Sequence, residues 1–216
     1  AVYTSEYNYT QGAWDSFAKL RNIAGTAMWT GFDYRGEGGF PGVWWPGWIG
    51  DNLHYPTKNF GLGQAQWSQK PVISFSEHKW GGKSGQHTKI RGYSNCDEVD
   101  IYLAGEKIQT IKMPNRPKKR TDVYLESDCR FEFDMKFQPG KDIRVVGRKA
   151  GYDKTVEAIL KPLGKPVKIL LEPSSPTLKS DGEDISIVKI SIVDTNGNLV
   201  RQGSDKKQLA KEIKIS

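Results

Sequence analysis

Histidine and cysteine are scarce in this sequence, with three and two respectively among 216 residues. Cys96 and Cys129 match no metal-site spacing, and histidine is scarce, so no metal site is expected around them. Two states stay open for the cysteines, a disulfide between neighbouring strands or two buried thiols. Long apolar runs are also missing. No stretch approaches the roughly 20 residues that a membrane-crossing helix needs, and no signal-peptide pattern is present, so no membrane contact is expected. Tryptophan stops early: Trp14, Trp29, Trp44, Trp45, Trp48 and Trp67 precede Trp80, which is the last. The remainder is rich in Lys, Ile and Val, so the chain falls into two compositional regimes.

A net charge of +7 and a pI near 9.2 raise the question of nucleic acid or acidic polymers. The tightest basic run, Arg116-Pro117-Lys118-Lys119-Arg120, reads as a solvated hairpin loop, and elsewhere Lys alternates with Asp and Glu along strands. Nucleic-acid binding is not expected.

Val2-Tyr3-Thr4-Ser5 reads as a short strand delivering Glu6 at its end. A helix is predicted over 12–21, where Trp14, Phe17, Ala18 and Leu20 share a face, and Ile23 to Trp29 is an apolar run of strand length. Strand, helix and strand in that order form the unit of a parallel α/β sheet or barrel. A loop rich in Gly, Pro and Trp fills 35–56. From about residue 67 the pattern is all β. Strand-like runs lie at 72–75, 89–93, 99–103, 131–135 and 143–146, with turn signals at Ala104-Gly105-Glu106, Pro139-Gly140-Lys141 and Ala150-Gly151-Tyr152. Such spacing suggests an immunoglobulin-like sandwich. Leu163-Gly164-Lys165-Pro166 reads as a linker, followed by strands at 167–171 and 185–193 and a hairpin signal at Asn196-Gly197. Both ends of the sequence fall within strand patterns, so a cut or partial polypeptide is expected.

Ser5-Glu6-Tyr7, followed by Ala24-Gly25-Thr26-Ala27-Met28-Trp29-Thr30-Gly31-Phe32-Asp33-Tyr34-Arg35-Gly36-Glu37, resembles the end of the catalytic barrel of glycoside hydrolase family 2, in its β-galactosidase-like form. Gln64-Ala65-Gln66-Trp67 with Lys70-Pro71-Val72 resembles the barrel exit of these enzymes. Tyr93 to Gly105 is similar to the sandwich that follows, and 178–198 to the next one. The fold implied is α/β plus all-β: the last strands of a (β/α)8 barrel over 1–66, an immunoglobulin-like β-sandwich over 67–163, and the start of a second over 164–216.

The resemblance implies a C-terminal portion of a retaining exo-β-glycosidase with Glu6 as nucleophile. Retaining enzymes set two carboxyl groups about 5–5.5 Å apart across the scissile bond, one ionised and one holding a proton. Barrels present such groups at the C-terminal ends of strands. The alternative for Glu6 is an exposed carboxylate at a strand end. Trp29 forms an aromatic wall of the sugar pocket or a core residue; Tyr7 hydrogen-bonds the nucleophile or simply packs. Asp33 orients sugar hydroxyls or braces the barrel mouth. Trp44, Trp45, Trp48 and His54, on the long loop, line the cleft or pack the loop against itself.

Three departures stand out. Tyr9 occupies a position where many β-galactosidases of the family have His. About a dozen residues common in the family between Phe60-Gly61-Leu62 and Gln64 are absent. The family's acid/base Glu follows an Asn, and no Asn-Glu pair occurs in this sequence. The expected partners are therefore a β-linked oligosaccharide or polysaccharide and an N-terminal remainder of the same enzyme. No cofactor is identifiable; the resemblance allows Mg²⁺ or Na⁺ with main ligands outside this chain. It also implies a bacterial protein in the periplasm or outside the cell. A β-glucuronidase or β-mannosidase of the same family is the alternative on substrate. A non-catalytic carbohydrate-binding or spacer module over 67–216 is the alternative on class. Asn8-Tyr9-Thr10 forms a glycosylation sequon of little meaning in a bacterial protein.

Overall fold

The computed structural model describes residues 2–7, 20, 22–32, 34–35, 44–45, 48–49, 58–76, 79–81, 84–113, 129–162 and 164–200. The helix expected over 12–21, the sequon and the basic run at 116–120 lie outside them or almost so, with only Leu20 described. In chain order the elements are β1 (Val2–Tyr7), β2 (Ile23–Met28), β3 (Tyr34–Arg35), β4 (Trp44–Trp45), α1 (Lys58–Trp67), β5 (Ile73–Phe75), β6 (Lys79–Trp80) and β7 (His87–Ser94). They continue with β8 (Glu98–Leu103), β9 (Glu106–Lys112), β10 (Arg130–Lys136), β11 (Ile143–Arg148), β12 (Val156–Pro162), β13 (Lys168–Pro173) and β14 (Val188–Val193). The described chain is mostly strand. It divides into two compact units, one of Ala1–Glu77, Lys89–Met135 and Asp142–Leu160, the other of His78–Thr88, Lys136–Lys141 and Lys161–Ser216.

In the first unit β1 and β2 form a parallel pair. Two antiparallel sheets follow, in the orders β10-β7-β5 and β12-β11-β8-β9. Their residues alternate as a half-buried pleat requires. Along β10, Phe131, Phe133 and Met135 are buried while Arg130, Glu132, Asp134 and Lys136 are exposed. Along β11, Ile143 and Val145 are fully buried, as are Val99 and Ile101 on β8 and Leu160 on β12. Each such side chain contributes about 1.5–3 kcal/mol by leaving water. The β8–β9 connection turns on two residues with positive φ, Ala104 at 49° and Gly105 at 90°. That is the twist a two-residue hairpin needs, and glycine carries the larger angle at no steric cost.

Strands at 73–75, 87–94, 98–103, 130–136 and 143–148 agree with the sequence expectation within a few residues. The two-residue strands β3, β4 and β6 were not foreseen, nor were three longer elements. β9 is an edge strand of exposed Lys, Gln and Glu, with no alternation to betray it. β12 carries a single fully buried side chain, Leu160. α1 contains Gly61 and Gly63, poor helix formers, and runs without interruption from Lys58 to Trp67.

The segment leaving α1 is held by a set of polar side chains. The Asn95 amide is buried; its Nδ2 donates to the carbonyls of Ser68 and Lys70, both at 2.8 Å, and its Oδ1 accepts from Val72 N at 2.7 Å. Ser94 Oγ donates to Val72 O at 2.9 Å. Lys149 Nζ and Tyr152 Oη both donate to Gln69 O, at 2.8 and 2.9 Å. Every carbonyl from Ser68 to Lys70 thus has a side-chain donor. Cys96 and Cys129 are both buried, and they are separate thiols.

Asp100 is also buried, on β8. Arg148 on β11 pairs with it and with Glu98 at 2.8 Å. Lys107 Nζ lies 2.7 Å from it, and Thr110 Oγ1 donates to it at 2.6 Å. The Arg148 hydrogen bond, which outweighs the burial opposing it, holds this carboxyl well below the usual carboxylate range.

In the second unit, β6 pairs in parallel with Lys161 and Pro162. Trp80 is 2% exposed, donates Nε1–H to Lys141 O at 3.0 Å and meets Phe137 edge to face with centroids 4.9 Å apart. β13 and β14 form an antiparallel hairpin whose register sets Ile169 opposite Ile192, Leu171 opposite Ile190 and Pro173 opposite Val188 on one face. The other face carries the Glu172–Lys189 ion pair. Beyond β14, Asp194 Oδ1 accepts from Asn196 N and Asn198 N and shapes the turn around Gly197, where the Asn-Gly signal expected a hairpin.

Two outcomes are expected. Asn95→Ala should lower the unfolding free energy by about 2–4 kcal/mol, since three backbone groups lose a partner worth roughly 1 kcal/mol or more each; urea unfolding measures it, and a loss below about 1 kcal/mol would count against the clasp. Asp100 has a lowered folded pKa, so its contribution is complete above the unfolded value near 3.9 and fades as pH falls below it. The unfolding midpoint should therefore drop below about pH 4, and Asp100→Asn should flatten that drop.

Candidate functional site

The site implied by the sequence is built from two neighbouring parallel strands. Their register pairs Val2 with Ile23, Thr4 with Thr26 and Tyr7 with Met28. The C-terminal ends therefore coincide. At the level of the backbone, Glu6 and Tyr7 finish β1 beside Met28, and Trp29 follows directly. A register shift lies between Thr4 and Tyr7, just where Glu6 sits. The Trp29–Thr30 peptide is cis.

Trp29 is 44% exposed. Its Nε1–H donates to Tyr34 Oη at 2.7 Å, and the two rings stand at 89° with centroids 5.8 Å apart. Tyr34 begins β3, which pairs with β4 so that Tyr34 faces Trp45 and Arg35 faces Trp44. The loop beyond is tied back to the same turn. Gly31 O accepts from Trp48 N at 3.1 Å and Ile49 N at 3.0 Å, and Phe32 bridges Ile49.

Trp48 then packs on α1. It stacks on Trp67 with centroids 5.2 Å apart, and a Cβ on Gly63 would overlap its ring. Leu62, Ala65 and Cys129 form the buried cluster beneath, with Met28, Trp48, Val72 and Tyr93 packed around it. Of the two possibilities for the loop tryptophans, Trp48 takes the packed one.

The backbone thus brings the positions of Glu6, Tyr7, Trp29, Trp44 and Trp45 onto two strand ends and one hairpin. The side chains of Glu6, Tyr7, Trp44 and Trp45 lie outside the description, and Asp33 and His54 lie outside the described residues altogether. Sequence reasoning missed Tyr34 as the partner of Trp29. The signal was present, because Tyr34 lies within the Thr-Gly-Phe-Asp-Tyr segment, but nothing in a sequence pairs an indole N–H with a phenol five residues on. Among the described residues no three His, Cys, Asp or Glu side chains gather into a metal-holding group.

Residues 85–154 match the family described as "Domain of unknown function (DUF4982)". The chain is 32% identical over 183 residues to the β-galactosidase BoGH2A of Bacteroides ovatus, covering 82% of this chain and 20% of that protein. It is 26% identical to a β-galactosidase of Thermoanaerobacter pseudethanolicus, covering 84% of this chain and 26% of the relative. Proteins named putative β-glucuronidase in Formosa agariphila match as well. Among solved structures, a glycosyl hydrolase family 2 member from Bacteroides cellulosilyticus superposes with a TM-score of 0.67 at 21% identity, over 91% of this chain and 29% of that one, which speaks for the fold. The chain is homologous to a part of the family 2 glycoside hydrolases. It spans about a fifth to a quarter of the length of these curated relatives. The family resemblance read from the sequence is borne out, for a part of these proteins.

The helix α1 that supports Trp48 gives a test. Alanine at position 63 gains up to about 1 kcal/mol in helix propensity over glycine. The added methyl group, however, overlaps a rigid ring backed by Trp67, and overpacking of this kind costs about 1–3 kcal/mol. Gly63→Ala is expected to lower the thermal midpoint and weaken the near-ultraviolet dichroism of the stacked indoles. A raised midpoint would show that Trp48 is not seated on α1.

Proposed function

We propose that this chain is part of a retaining exo-β-glycosidase acting on terminal β-galactosides, with Glu6 as its nucleophile. The observation that supports this is the parallel register that ends β1 and β2 together, Glu6-Tyr7 beside Met28-Trp29. We read these as the last two strands of a (β/α)8 barrel, whose reactive groups stand at the C-terminal ends of strands. The strands from β5 to β12 are read as an immunoglobulin-like sandwich and those from β13 as the beginning of another.

In this reading the Glu6 carboxylate attacks the anomeric carbon while the bond to the aglycone oxygen breaks. An acid/base carboxyl gives that oxygen its proton. The same group then takes a proton from water, which displaces Glu6 and releases the sugar with retained configuration. The acid/base is not in this sequence, so the active protein is a longer polypeptide and this piece alone does not turn over glycosides. Trp29 supplies a wall of the sugar site, and Tyr7, Asp33, Trp44, Trp45 and His54 are the further residues assigned to substrate binding. A periplasmic or extracellular location in a bacterium goes with this reading.

The names of the relatives include both β-galactosidase and β-glucuronidase, and the substrate assigned here follows the first two curated relatives. A panel of aryl β-glycosides on the complete polypeptide separates galactoside, glucuronide and mannoside. The alternative of a non-catalytic sandwich module draws on the family match at 85–154, which leaves out Glu6. Sugar affinity retained by residues 67–216 alone would favour it.

In the complete polypeptide, Glu6→Gln is expected to cut kcat by at least about a thousandfold without altering the unfolding midpoint, because an amide cannot form the glycosyl ester. Turnover within tenfold of the parent would overturn the assignment.

A further inference from the structure

Tyr34 touches the one proposed sugar-binding side chain whose contacts are described. An indole has a single polar group, the Nε1–H, and it can only donate. In a sugar cleft that donor would ordinarily be available to a hydroxyl. Here Tyr34 Oη accepts it at 2.7 Å, in perpendicular ring geometry. The polar edge of Trp29 is thereby turned towards Tyr34, yet the residue keeps 44% of its surface exposed. What it presents outward is therefore carbon.

Tyr34 is held independently of Trp29. It is half-buried, and its backbone belongs to the β3–β4 ladder, opposite Trp45. Its backbone is anchored in the pairing of β3 with β4, not in β2, which ends just before Trp29. The hydrogen bond therefore links the loop to the aromatic wall.

We infer that Tyr34 is a positioning residue: it fixes the Trp29 ring and occupies its only donor, so that Trp29 recognises a sugar through C–H packing on the indole face alone. This rests on the sugar site proposed above. The ligand class that suits such a wall is a pyranose with a contiguous C–H patch on one face. β-Galactosides have one, because their axial O4 leaves the hydrogens of C3, C4 and C5 together on the opposite side. A hydroxyl directed at the indole edge gains nothing there.

The test uses the complete polypeptide and galactose as a competitive inhibitor. Tyr34→Phe keeps the ring and removes the acceptor; it should raise the galactose Ki about tenfold, the fold-change of one hydrogen bond, with kcat falling less. Trp29→Phe should raise Ki at least as much. The double variant should be no worse than Trp29→Phe alone, because Tyr34 acts through Trp29. Additive effects, or a Ki within twofold of the parent, would overturn the inference, as would a lowered unfolding midpoint with an unchanged Ki. A measurement on the unaltered protein covers the case in which Tyr34→Phe does not fold. The ¹⁵N-indole signal of Trp29 should be protected from solvent exchange both with and without galactose; rapid exchange would overturn the inference. If Glu6→Gln is inactive while these results fail, only the role of Tyr34 is lost. Should Glu6→Gln stay active, the site itself is wrong.

Discussion

One buried amide organises the first compact unit. Asn95 meets the chain where it leaves α1 and satisfies three backbone groups within five residues. Each such hydrogen bond contributes about 0.5–1.5 kcal/mol, so together they favour one path for this turn of chain. Ser94, Lys149 and Tyr152 complete the set. The consequence reaches upward, because a fixed exit fixes the helix, and the helix carries the Trp48 ring on the surface around Gly63.

From that platform the candidate site follows in short steps. Trp48 and Ile49 are tied by their amides to Gly31, at the turn that follows Trp29. Met28 packs on the same buried cluster as Trp48. The end of β2 is thus set from below, and the parallel register sets the end of β1 beside it. The nucleophile proposed at Glu6 would need such a support, since small displacements of a reacting group cost large factors in rate.

Where burial alternates strictly, the fold was legible in the residues: Phe131, Phe133 and Met135 on β10, or Ile143 and Val145 on β11, declare one inward face. The turn glycines were legible through turn chemistry, since Gly105, Gly140 and Gly151 hold positive φ. β9 was not, because an edge strand buries too little to be patterned. α1 was hidden by its glycines, which are there for close approach to Trp48 and Ser74 and not for helix propensity. Tyr34 and Asp100 escaped notice for a third reason. Each owes its importance to a partner set by the fold, Trp29 in one case and Arg148 in the other. The family resemblance supplied Glu6, which spacing alone would have left as one carboxylate among many.

The account depends on a covalent bond between Glu6 and a sugar, and that bond can be caught. A 2-deoxy-2-fluoro-β-galactoside with a good leaving group slows both steps through its electron-poor ring, but the second more, so the glycosyl-enzyme accumulates. Peptide mapping of the complete polypeptide after such treatment should find one added fluorosugar, on the peptide bearing Glu6. An adduct on another carboxylate, with Glu6 unmodified, would contradict the account.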